Sequence, residues 1–138
     1  MSDLVLDASL ALQWFLDDEA DRKYSLAVLA SLSGKRGLVP LLWFYEVGNG
    51  LLMAHRRKRI SIDQIDGFLT RLKTLPIDAA QDTPSEILGL PELARAHGLT
   101  NYDAAYLNLA KRLNLSLATN DSELRKAAIS TGVTLVKE

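Results

Sequence analysis

The sequence predicts an α/β fold: a three-layer sandwich whose central, mostly parallel sheet of about four to five strands carries helices on both faces. Short apolar segments alternate along the chain with longer segments in which apolar residues recur at helical spacing. Strands that alternate with helices form parallel sheets covered on both faces. With 138 residues and no repeat or linker, the chain has the length of one domain, which we expect to span residues 1–138.

The predicted elements follow from apolar runs and helix-end signals. Strands are predicted at 4–7, 37–40, 76–79, 115–119 and 133–136. Helices are predicted over 20–33, 41–57, 61–75, 84–97, 101–113 and 121–131. Pro40 ends a strand, Ser61 is a favourable helix N-cap, and Gly98 follows a helix as glycine commonly does. At least one helix separates each strand from the next, as parallel connections require.

Composition and charge exclude several classes of protein. The formal net charge of −1 gives no overall field for nucleic acid or membranes, although a local patch can still bind either. The absence of cysteine excludes disulfides and thiolate metal sites and suits a reducing cytoplasm. The opening residues MSDLVLDASL lack a basic segment, and no apolar stretch approaches the roughly 20 residues of a spanning helix. We therefore expect a cytoplasmic protein with no membrane partner.

Four acidic residues are expected to meet at one edge of the sheet. Asp7 closes the first strand, and Asp121 follows the strand at 115–119. Asp103 lies in the first turn of a helix, and Glu46 in the early turns of another. In a parallel α/β sheet, strand ends and helix starts share the carboxyl edge, where ligands usually bind. The carboxylates are therefore expected to converge, although they are far apart in sequence.

Carboxylates that converge repel one another, and the pKa of at least one normally rises. A hard divalent cation such as Mg²⁺ or Mn²⁺ removes that repulsion and binds through a few carboxylates and several waters. Such a site can orient a water and stabilise charge on a phosphate. Zinc is disfavoured because there is no cysteine and because His55 and His97 lie outside this edge.

Helix capping is the alternative explanation of the same acids. Asn120 with Glu123 fits a capping box, with Asn120 as the N-cap and Asp121 in the first turn. Thr100 with Asp103 fits the same pattern. For any single acid, capping is the more common role. Four acids at one predicted edge favour a binding site over four separate caps.

The segments that carry these acids are VLDASLALQWFL, VPLLWFYEVGNGLL and HGLTNYDAAYLNLAKRLNLSLATNDSEL. Together they resemble the PIN-domain family, and more narrowly the VapC-type toxins of bacterial toxin–antitoxin pairs. The resemblance spans essentially the whole chain and implies a PIN-like fold and a metal-dependent endoribonuclease. It implies that one or two Mg²⁺ or Mn²⁺ ions are held by Asp7, Glu46, Asp103 and Asp121. The same acids would position a water for attack on an RNA phosphodiester.

The resemblance implies further residues and partners. Thr119 matches a small hydroxyl residue that supports the site, and Ser9 and Asn49 match polar positions beside the metal. It also implies a homodimer and a cognate antitoxin whose tail covers the active site. Glu46 or Asp7 would serve as general base towards the water.

HRRKRIS, at 55–61, is the densest basic run, and its role stays open between two interpretations. Cations at the end of a helix complement the helix dipole. Alternatively, the RNA backbone is held by Arg56, Arg57, Lys58 and Arg59, since phosphate contacts are largely electrostatic.

Two other functions remain open from the residues alone. The first is a different metal-dependent phosphoryl hydrolase, such as a DNA nuclease or a small phosphatase, with the same site and another substrate. The second is a non-catalytic binding module whose acids only cap helices. The aromatic segments QWFL and LLWFYE are expected to be mostly core, with some side chains available to a partner.

Overall fold

The computed structural model describes residues 3–17 and 21–137. Four strands form one sheet: β1 (Leu4–Leu6), β2 (Gly37–Val39), β3 (Ile77–Ala79) and β4 (Ser116–Ala118). The strand order is β3-β2-β1-β4, and every pairing is parallel. The helices are α1 (Ala8–Phe15), α2 (Lys23–Ser31), α3 (Leu41–Arg56), α4 (Ile62–Leu72), α5 (Pro84–Leu88), α6 (Leu90–His97), α7 (Asn101–Leu113) and α8 (Ser122–Ser130). The predicted α/β architecture with a parallel sheet is confirmed.

The central strand β1 is buried along its whole length. Val5 pairs with Leu38 of β2 on one side and with Leu117 of β4 on the other. Leu4, Val5 and Leu6 are at most 1% exposed, which is why this strand is an uninterrupted apolar run in the sequence. Since β1 lies between β2 and β4, the residues that follow these three strands emerge side by side at the carboxyl edge.

Two predicted elements were wrong, and one helix was not predicted. Residues 8–15 were not predicted as a helix, because α1 buries Ala8, Leu10, Ala11 and Trp14 and shows no clear polar face. The helix predicted at 84–97 is two helices, because Pro91 in the first turn of α6 has no N–H to continue the hydrogen-bond ladder from α5. The strand predicted at 133–136 is reduced to a single parallel bridge between Leu117 and Leu135.

Helix boundaries elsewhere follow the prediction closely. The helix expected over 20–33 begins at Lys23 in the described part of the chain, and residue 20 lies outside the described residues. Ser61 caps α4 in a complete capping box with Gln64, and Gly98 ends α6 in the left-handed conformation at φ 64°. In the described ranges, no helix combines the length and the apolar character needed to cross a membrane.

Helix α1 packs closely across α3, and Gly50 makes this approach possible. A Cβ atom at Gly50 would overlap both δ-methyl groups of Leu12, the second at 2.6 Å. Two residues earlier on α3, a Cβ atom at Gly48 would meet nothing within 4 Å. The close contact matters for the carboxyl edge because Asp7 precedes α1 and Glu46 lies one turn before Gly50.

These two glycines give a matched pair of variants. Gly48→Ala should raise the free energy of unfolding by about 0.5–1 kcal/mol, since alanine is the better helix former and has room there. Gly50→Ala should instead lower it by about 1 kcal/mol, because Leu12 must move to admit the methyl group. Urea unfolding of the two variants and the wild type measures the difference. Equal stabilisation by both substitutions would contradict the close packing of α1 on α3.

Candidate active site

Asp7 occupies the junction between β1 and α1 and is 5% exposed. It is the N-cap of α1: its Oδ1 accepts hydrogen bonds from the Leu10 N–H at 3.2 Å and from Ser9 Oγ at 2.7 Å. Its Oδ2 accepts a hydrogen bond from the Thr119 hydroxyl. Burial raises the pKa of Asp7, these three hydrogen bonds oppose the rise, and the nearby charge of Asp121 adds to it.

Glu46 lies in the second turn of α3 and is half-buried. Its Oε1 accepts a hydrogen bond of 2.5 Å from the hydroxyl of Tyr106, a residue of α7 that is 1% exposed. Burial raises the pKa of Glu46, the Tyr106 hydrogen bond lowers it, and the charge of Asp7 raises it further. Burial and the Glu46 carboxylate together raise the pKa of Tyr106, which keeps its hydroxyl protonated as a donor.

The contact between Tyr106 and Glu46 was not predicted from the sequence. The available signal was the spacing in YDAAY, because residues three apart on a helix lie on the same face. Asp103 and Tyr106 therefore lie on the same face of α7. Since Asp103 was predicted at the carboxyl edge, Tyr106 could have been predicted to lie near that edge as well.

Asp103 lies in the first turn of α7, below an N-cap formed by Thr100, whose Oγ1 accepts from the Asp103 N–H at 3.1 Å. The pKa of Asp103 is raised to about 6, first by burial and then by the charges of Asp121, Asp7 and Glu46. One carboxylate therefore lies in the field of the other three. This is the convergence at the carboxyl edge that the strand and helix order predicted.

Asp121 is the N-cap of α8, and its Oδ1 accepts from the Leu124 N–H at 2.8 Å. The expectation that Asn120 caps this helix was wrong, because Thr119 is still buried beside Asp7 and α8 begins only after Asp121. The side chain of Asn120 instead donates to Gln13 Oε1 at 3.2 Å. Thr119 links the two acids, since its Oγ1 also accepts from the Asp121 N–H at 3.0 Å.

The other predicted residues lie at different distances from this edge. Asn49 is exposed and follows Glu46 by three residues on α3, which places it one turn along the same face. The exposed basic run from Arg56 to Arg59 begins where α3 ends. At the helical rise, the run lies roughly 15–20 Å from Glu46 along the helix axis. The structure does not bring it to the carboxylates.

The arrangement of the acids bears on whether they suit a metal ion. Among residues 3–17 and 21–137, no three histidine or acidic side chains are arranged to enclose an ion as they stand. Repulsion between ionised carboxylates keeps them further apart than the ligands of a single ion would be. Mg²⁺ needs only one or two carboxylates and completes its shell with water and substrate phosphate. The all-oxygen donor set therefore fits a hard divalent cation.

Comparisons with known proteins agree on one family. The family model described as PIN domain matches residues 4–130. Ribonuclease VapC3 of Pyrobaculum aerophilum is 32% identical over 126 residues, which cover 88% of this chain and 91% of that protein.

Solved structures give the same fold. The crystal structure of PAE2754 from Pyrobaculum aerophilum has a TM-score of 0.67 and 25% identity, covering 91% of this chain and 86% of that one. A toxin–antitoxin complex from Klebsiella pneumoniae has a TM-score of 0.61 and 19% identity, covering 87% and 88%. VapBC2 from Rickettsia felis, bound to a promoter DNA fragment, has a TM-score of 0.65 and 15% identity, covering 96% of each chain. The last two likenesses concern the fold alone.

The raised pKa of Asp103 makes stability depend on pH. Its pKa rises from 3.8 to about 6, so the folded protein binds more protons and the free energy of unfolding falls as pH increases through that window. The substitution Asp103→Asn removes this pH-dependent fall in the free energy of unfolding. At pH 7.5 in EDTA we expect the variant to exceed the wild type by about 1 kcal/mol, after allowing for solvent screening of this partly exposed group.

Urea unfolding between pH 3.5 and 7.5 measures this effect, and the advantage of Asp103→Asn should vanish at the acidic end. Asp66→Asn, at an exposed acid of α4, is the matched control and should show no such trend. A stability difference for Asp103→Asn that stays constant across the pH range would show that the pKa of Asp103 is not raised in the folded protein.

Tyr106→Phe should raise the pKa of Glu46 further, because it removes the hydrogen bond that lowers it. NMR titration of ¹³C-labelled glutamate carboxyls in EDTA measures this pKa directly. Tyr45→Phe, at a 78% exposed tyrosine next to Glu46 on α3, is the control and should leave that pKa unchanged. An unaltered Glu46 titration in Tyr106→Phe would rule out the hydrogen bond.

Proposed function

Because this chain belongs to the PIN-domain family and is homologous to VapC ribonucleases, we propose that it is a metal-dependent endoribonuclease of the VapC toxin type. Its substrate would be an RNA phosphodiester bond. The observation that carries the proposal is the link between the ends of β1 and β4: the Thr119 hydroxyl donates to Asp7 and accepts from the Asp121 N–H. The charges of Asp121, Asp7 and Glu46 also add to the burial that raises the pKa of Asp103. Four separate helix caps would not link acids of different elements in this way.

The four acids would hold one or two Mg²⁺ or Mn²⁺ ions: Asp7, Glu46, Asp103 and Asp121. Their donors are all carboxylate oxygens, the type that these cations prefer. Such an ion, when bound, lowers the pKa of a bound water and neutralises charge on the phosphate. It would also offset the repulsion that raises the pKa of Asp103.

The protein's own groups orient these carboxylates. Ser9 and Thr119 donate to opposite oxygens of Asp7, which fixes the plane of a buried carboxylate and favours its ionised state. Tyr106 does the same for Glu46 at Oε1. Both oxygens of Asp7 accept hydrogen bonds from the protein, whereas the contact described at Glu46 uses Oε1. This difference supports Glu46 over Asp7 as the group that accepts a proton from the attacking water.

The proposal extends to protein partners. One structural relative, from Klebsiella pneumoniae, is described as a toxin–antitoxin complex. On this chain, α3 exposes four large apolar or aromatic side chains: Leu41 at 62%, Phe44 at 40%, Tyr45 at 78% and Leu52 at 39%. Exposed apolar groups of this kind are suited to protein contacts. We propose a cognate antitoxin whose tail covers the active site, a homodimer, and action in the cytoplasm.

The basic run retains its proposed role in weaker form. Arg56, Arg57, Lys58 and Arg59 are exposed, but they lie at the far end of α3 from Glu46. They would contact the RNA backbone several nucleotides from the scissile phosphate, as sequence-independent electrostatic contacts.

Cleavage of total cellular RNA, with mapping of the new ends, tests the proposed function. We expect cleavage with Mg²⁺ or Mn²⁺ and none with EDTA. Asp7→Asn and Asp103→Asn should each lower the rate at least about 100-fold while the fold survives, because each removes a carboxylate that would bind the metal. Mn²⁺ should raise the Tm of the wild type by mass action, and either variant should lose most of that increase.

Asp66→Asn is the control and should keep both the activity and the rise in Tm. Full activity in Asp7→Asn and Asp103→Asn would contradict the site. Cleavage of DNA but not RNA would instead support another metal-dependent phosphoryl hydrolase. An absence of any Mn²⁺ effect on the wild type, together with no cleavage, would support a binding module in which the acids only cap helices.

A further inference from the structure

An open cleft of about 850 Å³ lies beside the carboxylate edge and has no role in the site described so far. Its lining includes Asn120, which precedes α8, Arg125 and Ile129 from α8, and Tyr24 from α2. The segment 132–137 forms its remaining wall. The volume is within the range of binding sites for small organic ligands.

The register of the chain connects this cleft to the active site. Leu135 pairs in parallel with Leu117, and Val136 N–H donates to the Leu117 carbonyl at 2.9 Å. Asn120, which lines the cleft, directly follows Thr119, the residue whose hydroxyl donates to Asp7. The cleft therefore continues the carboxyl edge beyond β4 and is not a separate surface.

A fixed cation stands between the cleft and the acids. Arg125 Nη1 donates to the Thr119 carbonyl at 2.7 Å, and its guanidinium lies 5.5 Å from the centre of the Tyr24 ring. The Tyr24 hydroxyl in turn donates to the Val136 carbonyl at 2.6 Å. Because both ends of this chain of contacts are held by backbone carbonyls, the positive charge of Arg125 is placed at a defined point of the cleft.

The cleft offers three kinds of surface. Arg125 and Lys137 supply positive charge, and among the described residues of the lining Asp21 supplies negative charge. Asn120 supplies an amide, and Ile129 is an apolar side chain left 70% exposed. Cations suit phosphates, an amide suits the edge of a base, and an exposed apolar side chain suits its face.

We infer that this cleft binds the nucleotides of single-stranded RNA that flank the scissile phosphate. Phosphate would contact Lys137 and Arg125, and an unstacked base would lie against Ile129. The inference rests on the proposed ribonuclease function and adds the path of the substrate. It also places the nearest backbone contacts at 125 and 137, and not in the basic run at 56–59 that the sequence singled out.

The test measures binding of a fluorescein-labelled random 12-nucleotide RNA pool in EDTA, where cleavage does not intervene. Binding is followed by anisotropy at several salt concentrations. Lys137→Gln should weaken binding and reduce the slope of log K against log salt by about 0.7, the value for one lost phosphate contact on a single strand. Ile129→Glu should weaken binding roughly tenfold, since it adds an anion beside the RNA.

Lys126→Gln is the matched control, because it makes the same charge change at a lysine of α8 that lies outside the cleft lining. It should leave the slope unchanged. Equal slopes for Lys137→Gln and Lys126→Gln, or no measurable binding by the wild type, would overturn the inference and leave the cleft to a protein partner.

Cleavage by the same preparations with Mg²⁺ separates the two proposals. If the wild type cleaves RNA but Lys137→Gln and Lys126→Gln bind it with equal salt slopes, RNA binding in the cleft is refuted and the proposed function stands. A slope reduced in Lys137→Gln alone, with no cleavage by the wild type, would support the RNA cleft and refute the nuclease.

Discussion

The buried carboxylate of Asp7 is the constraint on which the rest of the site depends. It stands at the end of the central strand, where an ionised group is costly unless it is hydrogen-bonded. Ser9, Leu10 and Thr119 offset that cost by donating to its two oxygens. These donors come from the first turn of α1 and from the end of β4. They meet at Asp7 only because β1 pairs with β4 and continues directly into α1. The pairing of β1 with β4 therefore helps to stabilise the ionised carboxylate of Asp7.

Helix capping and the proposed binding site, which the sequence presents as alternatives, are compatible in this structure. Asp7 and Asp121 each use Oδ1 as a helix N-cap, while Asp103 lies inside α7 and Glu46 inside α3. The helices that carry or follow these acids all begin at the carboxyl edge. Their N-termini bring partial positive charge there, which moderates the repulsion among the carboxylates. Capping therefore helps to explain how four acids are tolerated together.

The features that the sequence predicted well are those that depend on local pattern or on the general geometry of parallel sheets. The convergence of the four acids at one edge follows from strand ends and helix starts alone. The hydrogen bond from Tyr106 to Glu46 depends on how α7 packs against α3, which no periodicity encodes. The fit of Gly50 against Leu12 depends on an interhelical distance. The single bridge at Leu135 shows the same limit, because an apolar run predicts a strand without showing how much of it finds a partner.

The position of β4 in the chain has a consequence for how the protein is made. Asp7 and Glu46 are synthesised early, but the hydroxyl of Thr119 and the carboxylate of Asp121 are added more than 110 residues after Asp7. Until that segment leaves the ribosome, β1 has no partner on one side and the acid at its end lacks a donor. The growing chain therefore lacks Thr119 and Asp121 at this edge through most of translation. The four acids can come together only after β4 and the residues that follow it have been made.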